Sequence, residues 1–282
     1  MVRKIFLSKG LYFPYISLIS IMSCLVVSIP AHYSAPLFAY LVPWQNIYQI
    51  YQLFTSQFAH GVMEGFKGIS FELHLITNLV SIAFFGVFCE RVLGPSKMLL
   101  LSFISAFAHI ITRLVLNSFG TGISGISWAY VPIAFYIFLI IYKREKKKFF
   151  SSAVSLLGLI LLFLSWIGVT AGNFIMGWHT SNIFHLVASL AGAAFLLVWK
   201  KYIDCKFDQI IANRIEALVF HRLTILDKVS VMASLVILIS LGKIIITVFL
   251  KKLRVLIGAT RRIFCTVLFF ACNFLFQFWT EH

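Results

Sequence analysis

Long apolar runs, separated by short polar or basic segments, dominate the chain. A helix of about 20 apolar residues is long enough to cross a bilayer. Eight runs approach this length, at 12–30, 74–92, 97–116, 124–142, 150–171, 182–200, 229–250 and 263–279. The pattern predicts an all-α fold, a polytopic membrane helical bundle with a six-helix core and one or two C-terminal hydrophobic helices.

Two connecting segments differ from the rest. The segment 31–73 is long and aromatic, contains Pro36 and Pro43, and is not apolar enough for one clean span. Trp and Tyr side chains favour the headgroup region, so we expect an interfacial loop with short helices. The segment 172–181 is short, uncharged and contains glycine, and we expect a loop at the same surface.

Composition supports the membrane interpretation. Hydrophobic residues make up 61% of the chain and charged residues only 12%, whereas soluble domains have roughly 45–50% and about 25%. These values exclude a soluble globular domain, a disordered chain and a disulfide scaffold. No cofactor is expected, because no group of His, Cys, Asp and Glu has the spacing of metal ligands.

The net charge of +15 reports orientation rather than nucleic-acid binding, because the basic residues are scattered between apolar runs. If the N-terminus is cytoplasmic and the first six runs span the membrane, sixteen Lys and Arg residues up to residue 228 lie in inner segments and two in outer segments. This asymmetry predicts that orientation and suits a bacterial inner membrane. The basic stretch 251–262 conflicts with a simple outward span at 229–250, so a span, a re-entrant segment and a surface helix all stay open.

Polar groups inside apolar runs are costly, and they are therefore functional candidates. His74 and Asn78 lie four residues apart near the outer end of the second run, on one helical face. Ser124 opens the fourth run and His185 lies near the outer end of the sixth. Because these three runs enter the membrane from the same side, we expect the four side chains at one depth.

This set has the chemistry of a serine nucleophile. A Ser hydroxyl needs a general base, and His is the usual one; no acidic residue lies at this depth, so Ser124 and His185 would form a dyad. His74, Asn78 and the Ser124 N–H at a helix N-terminus would stabilise an oxyanion. Trp128, one turn after Ser124, is placed to stack on the imidazole of His185.

Small residues flank the candidate nucleophile. Gly122 and Gly125 stand on either side of Ser124, and small residues let membrane helices approach closely. Three histidines and one glutamate receive structural interpretations: His60 organises a loop, His109 makes packing or interhelical contacts, and His179 is exposed near the site. Glu90 is expected to pair with Arg91 or Lys97.

These motifs together resemble the rhomboid intramembrane serine proteases. HLITN (74–78), GISG (122–125) and HLVASLAG (185–192) match the family's HxxxN, GxSG and His with small residues. QLFTSQFAHG (52–61) and GVFCERVLG (86–94) resemble its first loop and its Gly-x3-Glu-x3-Gly element. The resemblance covers about 45–200. It departs from the family at Tyr51-Gln52, where Trp-Arg is frequent, and at Ala188, where Gly is usual.

The resemblance implies a rhomboid-like catalytic core at 1–200 and an extension at 201–282. It also implies an intramembrane serine endopeptidase, with lipid around it and single-span membrane proteins as substrates. One alternative is a catalytically inactive rhomboid-like protein that binds membrane segments without cutting them. A transporter or channel is disfavoured, because its polar groups would lie at midplane depth between inverted repeats.

Overall fold

A computed structural model describes residues 12–43, 49–60, 71–118, 120–145, 150, 153–175, 177–211, 225–240, 243 and 246–247 of the chain. These residues are helices and their connections, with no strand among them. The helices are α1 (Tyr15–His32), α2 (Ala35–Leu41), α3 (Ile50–Thr55), α4 (Phe71–Ser81), α5 (Val87–Leu93), α6 (Pro95–Leu116), α7 (Ser124–Ser127), α8 (Tyr130–Glu145), α9 (Ala153–Phe163), α10 (Val169–Ile175) and α11 (His179–Ile211).

Six spans in the described part of the chain are long and apolar enough to cross a membrane. Three of them are the single helices α1, α6 and α11. A π-helical turn at Ile82–Gly86 joins α4 to α5, and another at Leu164–Gly168 joins α9 to α10. The remaining span consists of α7 and α8. The predicted six-helix core is therefore confirmed in number and order.

The fourth span lies at the centre of the bundle. Of its most apolar 18 residues, 72% are buried, against 18–39% in the other five spans. Ile133, Ala134 and Ile137 on α8 have no exposed surface, whereas Phe107 and Ile111 on α6 are more than half exposed. Large apolar side chains on the outer helices thus face lipid, and the polar residues that open the fourth span are enclosed by neighbours.

Glu90 connects the first and second spans. Its carboxylate accepts hydrogen bonds from the N–H groups of Ile16 (2.7 Å) and Ser17 (2.8 Å), and from the Ser17 hydroxyl (2.7 Å). The first N–H groups of a helix have no intrahelical acceptor, so this carboxylate caps the start of α1. The structural interpretation of Glu90 is confirmed, but the expected pairing with Arg91 or Lys97 is wrong.

The loops are shorter and the last span longer than the apolar runs suggest. Helices extend to Ile175 and resume at His179, so little of the predicted loop 172–181 remains, and α11 continues past residue 200 to Ile211. In the segment 31–73 the expected short helices are present as α2 and α3.

Residues 1–241 form one compact unit and 242–282 a second. The helical stretch 225–240 belongs to the first unit, and Asp227 there accepts a hydrogen bond from the Ser96 N–H at the start of α6 (3.2 Å). Only residues 243, 246 and 247 of the second unit are described, and the apolar run 263–279 lies outside the described residues. A domain boundary at residue 200 stays a prediction.

Candidate functional site

A cavity of about 740 Å³ opens at one end of the bundle. The beginnings of α4, α7 and α11 meet there, as do the ends of α6 and α10. Five of the predicted site residues line it, namely His74, Asn78, Ser124, Trp128 and His185. The convergence expected from the alternating direction of the spans is therefore observed. The other two, Gly122 and Gly125, lie beside Ser124 and outside the lining.

Ser124 is the first residue of α7, as the sequence predicts. The N–H groups of Ile126 and Ser127 already bond the carbonyl of Ile123. The N–H groups of Ser124 and Gly125 donate to no acceptor among the described residues. The α-helix that begins here has only four residues, so the stabilisation available to an anion comes from these free N–H groups rather than from a long helix dipole.

Gly122 meets two constraints that only glycine satisfies. Its φ is +104°, a backbone conformation unfavourable to residues with a Cβ. A Cβ would also lie 3.1 Å from the rings of His60 and His74. Its N–H donates to the Ser56 carbonyl (3.0 Å), which ties the segment before Ser124 to the loop after α3.

Gly125 allows a close approach between α7 and α6. A Cβ on Gly125 would overlap the imidazole of His109. The Gly125 carbonyl accepts a hydrogen bond from the hydroxyl of Ser105 on α6. Both contacts place the backbone of Ser124 directly against α6, as expected for small residues at a helix contact.

The imidazole of His185 is fixed by an aromatic ring. It stacks on the indole of Trp128, with ring centroids 4.1 Å apart and planes 6° from parallel. The stacking predicted from the position of Trp128 is therefore present. His185 Nδ1 is buried without a hydrogen-bond partner, and no Asp or Glu occurs in the described cavity lining. Among the described residues, therefore, the Trp128 indole contacts this histidine and no carboxylate does.

The Ser124 hydroxyl and His185 share the cavity without a mutual hydrogen bond. None joins the two side chains in the described structure, although both border the same space. Hydrogen bonds between catalytic groups are often long in the absence of substrate and shorten when it binds. The two groups therefore lie on separate helices that line one cavity.

Asn78 is held by a histidine of the preceding loop. Its Nδ2 lies 3.0 Å from His60 Nε2, and His60 Nδ1 lies 2.9 Å from the Ser28 hydroxyl. The Ser28 hydroxyl donates to the Phe58 carbonyl (2.8 Å). Burial, together with the neighbouring His74, lowers the pKa of His60 to about 3, so its ring is neutral at physiological pH. His60 is thus the loop organiser that the sequence suggests.

This network fixes the tautomer of His60. The single Ser28 hydroxyl proton goes to Phe58, so Ser28 must accept from His60 Nδ1–H. His60 Nε2 is then an acceptor, and the Asn78 amide donates a hydrogen bond to it. The second N–H of Asn78 is not used by this network, and Asn78 borders the cavity. The loop therefore orients Asn78, and one N–H group stays available in the cavity that Ser124 also borders.

A second polar cluster, not identified from the sequence, adjoins the cavity. Arg113 on α6 is fully buried, and it donates from Nε to His109 Nε2 (3.3 Å) and from Nη1 to the Ser56 hydroxyl (2.6 Å). His109 Nδ1 contacts Gln57 Oε1 (3.0 Å). The interhelical interpretation of His109 is confirmed, since it connects α6 to the loop after α3. The signal for this cluster was an Arg one turn after a His within an apolar run.

Gln52 anchors the same loop where the family frequently has Arg. Its Nε2 donates to the carbonyls of Ala39 (3.2 Å) and Tyr40 (3.1 Å). One turn later, the Thr55 hydroxyl donates to the Leu41 carbonyl (2.6 Å). These bonds fasten α3 to α2, so the departure from Trp-Arg at Tyr51-Gln52 leaves the loop fixed.

Comparison with known proteins identifies the region that contains these residues. A family model described as the Rhomboid domain matches residues 48–202, more than half of the 282-residue chain. The match contains all seven predicted site residues. No curated protein and no solved structure gives a significant match.

Proposed function

The chain belongs to the rhomboid family, and with its six spans it is a multi-pass integral membrane protein; from this premise we propose that it is a serine endopeptidase that cleaves transmembrane segments. The observation that carries the proposal is the cavity shared by Ser124 and His185. The charge distribution supports a cytoplasmic N-terminus in a bacterial inner membrane, with the cavity at the outer surface.

In the proposed reaction, Ser124 Oγ attacks the carbonyl carbon of the scissile peptide bond. His185 takes the hydroxyl proton as the C–O bond forms, and then gives it to the leaving amine as the C–N bond breaks. His185 Nδ1 is enclosed and unpaired, so we assign the base to Nε2. Water, with His185 again as base, hydrolyses the acyl-enzyme.

The developing oxyanion has three candidate donors. They are the free N–H at Ser124, the Asn78 amide and the ring of His74. Asn78 is pre-oriented by His60, so its N–H needs no reorganisation during the reaction, which is the condition under which such donors are most effective. Trp128 is a positioning residue, because it acts on the substrate only through the orientation of His185.

The substrates that fit this site are single-span membrane proteins surrounded by lipid. A transmembrane helix shields its carbonyls through intrahelical hydrogen bonds, so the segment must unwind before Ser124 reaches it. The family resemblance adds a small residue before the cleaved bond and a helix-destabilising stretch after it. No metal or other cofactor takes part in the proposed reaction.

The second candidate is a rhomboid-like protein that binds membrane segments without cleaving them. One observation favours it, namely the missing hydrogen bond between the Ser124 hydroxyl and His185. A fluorophosphonate label distinguishes the two functions, since only an activated serine reacts with it. The purified full-length protein should label at Ser124 and cleave a single-span reporter with Ala before the cleaved bond. Well-folded protein that does neither would support the binding function.

A further inference from the structure

Arg113 is a buried cation, and one nitrogen of its guanidinium group is unpaired. It has no exposed surface, and its Nη2 makes no hydrogen bond. It is the only Lys, Arg, Asp or Glu in the described lining of the cavity. A buried charge without a counter-ion is energetically costly, and none of the described residues supplies an anionic partner to Nη2.

Hydrogen bonds hold the other two guanidinium nitrogens in place. Nη1 donates to Ser56 and Nε donates to His109, and His109 packs edge-on against the ring of Phe184 with centroids 4.8 Å apart. These contacts come from α6, α11 and the loop after α3. Nη2 is consequently held in place and cannot turn to find another acceptor.

Beside Nη2, at Gly120 in the segment that leads to Ser124, there is room for one added atom at ordinary contact distances. A Cβ added to Gly120 would lie 3.7 Å from the Phe184 ring and 4.0 Å from Nη2, with no closer neighbour outside the adjoining chain. An atom at the position of this Cβ would lie 4.0 Å from Nη2. Hydrogen bonds are roughly 2.7–3.2 Å long, so a substrate atom there would need to come about 1 Å closer to bond Nη2.

We propose that Arg113 is a specificity-determining residue that binds a carboxylate side chain of the substrate segment in the cavity. The inference rests on the proposed protease function and adds a preference for Asp or Glu near the scissile bond. A carboxylate oxygen fits the single free arm and the atom-sized space, and it forms a charge-assisted hydrogen bond there. A lipid phosphate is bulkier than a carboxylate and fits the room beside Gly120 less well.

The test compares matched single-span reporters that differ only in one Glu or Gln, scanned over the four residues on each side of the cleaved bond. With the full-length protein in detergent, we expect kcat/KM to be at least tenfold higher for Glu than for Gln at one position. Arg113→Gln should reduce that ratio to about one. Equal rates for Glu and Gln at every position would overturn the proposal while leaving the protease function intact.

Gly120→Ala gives a second test that leaves Arg113 and its bonds in place. Its methyl group fits at ordinary contact distances but fills the space beside Nη2, so the ratio should fall severalfold. An unchanged ratio would contradict the proposed binding position. Failure of all reporters together with absent fluorophosphonate labelling would instead contradict the protease function itself.

Adding phosphatidylglycerol vesicles to the Gln reporter assay tests whether a lipid phosphate, rather than a substrate carboxylate, binds Arg113. Inhibition of the wild type that Arg113→Gln abolishes would show that a lipid phosphate occupies the site and would overturn the carboxylate assignment. An equal response of both proteins would support it. If Arg113→Gln loses labelling because it does not fold, the Gly120→Ala ratio decides the question.

Discussion

The imidazole of His185 and the indole of Trp128 lie face to face, with centroids 4.1 Å apart and planes 6° from parallel. In a serine–histidine–aspartate triad a carboxylate orients the histidine. Here the described cavity lining contains no carboxylate, and in the proposed mechanism the indole of Trp128 orients His185 instead. The two residues come from α11 and from the turn after α7, and their contact fixes α11 against the fourth span.

Trp128→Leu should lower kcat/KM about two- to tenfold, because an aromatic pair of this kind contributes about 0.5–1.5 kcal/mol beyond its buried area. Trp128→Phe should retain most of the activity, since the ring is kept. Reporter cleavage and the rate of fluorophosphonate labelling measure both variants. Trp166→Leu, on the lipid-exposed fifth span, is the matched control. A loss of activity equal in Trp128→Phe and Trp128→Leu would argue that packing volume matters and stacking does not.

Ser124→Ala and His185→Ala should each abolish cleavage, because the first removes the nucleophile and the second its base. Ser127→Ala and His179→Ala are the matched controls; Ser127 lies on the same short helix, and neither belongs to the proposed dyad. Reporter cleavage in detergent should be close to wild type for the controls and below a few per cent for the dyad variants. Cleavage by Ser124→Ala above that level would rule out Ser124 as the nucleophile.

His60 should make stability depend on pH. Its pKa falls from 6.5 to about 3 on folding. Between these two pH values, His60 is therefore protonated in the unfolded chain and neutral in the folded protein. The titration of His60 therefore costs no stability above pH 6.5. As the pH falls from 6.5 towards 3, it lowers the free energy of unfolding by at most about 1.4 kcal/mol per pH unit. Thermal unfolding in detergent from pH 7 to pH 4 measures this dependence.

His60→Gln should reduce that pH dependence, because glutamine does not titrate. The same substitution at His32, which lies at the end of α1 and stacks on Phe71, is the matched control. A wild-type slope that persists in His60→Gln would mean that other groups carry the titration.

Gly122→Ala should destabilise the protein, because alanine is strained at a φ of +104° and its Cβ would press on His60 and His74. A strained backbone position of this kind costs on the order of 1–3 kcal/mol. Gly172→Ala is the matched control in α10, where a Cβ meets nothing within 4 Å, and it should be neutral or slightly stabilising. The midpoint of thermal unfolding compares them, and equal midpoints would contradict the strain argument.

The sequence predicted those parts of the molecule that depend on local pattern. Six spans follow from apolar runs, and the approach of His74, Ser124 and His185 follows from the alternating direction of the spans. The partners of Glu90 were not predictable, because the choice between a nearby cation and the start of α1 depends on how the first span packs. Ser56 reaches Arg113, and Gln57 reaches His109, only through the docking of a loop, which leaves no periodic signal.

Removing residues 242–282 should leave the site assembled, because the cavity lining described here ends at His185 and the compact unit of the site ends at residue 241. Fluorophosphonate labelling of Ser124 and reporter cleavage should both stay within about twofold of the full-length protein.

A longer deletion of 229–282 cuts into the helical stretch 225–240, yet Asp227, which caps α6 through Ser96, is retained. We expect this deletion also to preserve labelling, with a lower unfolding temperature because Ser230 and Ser234 are buried. Loss of labelling in the shorter deletion would show that the C-terminal unit supports the catalytic core.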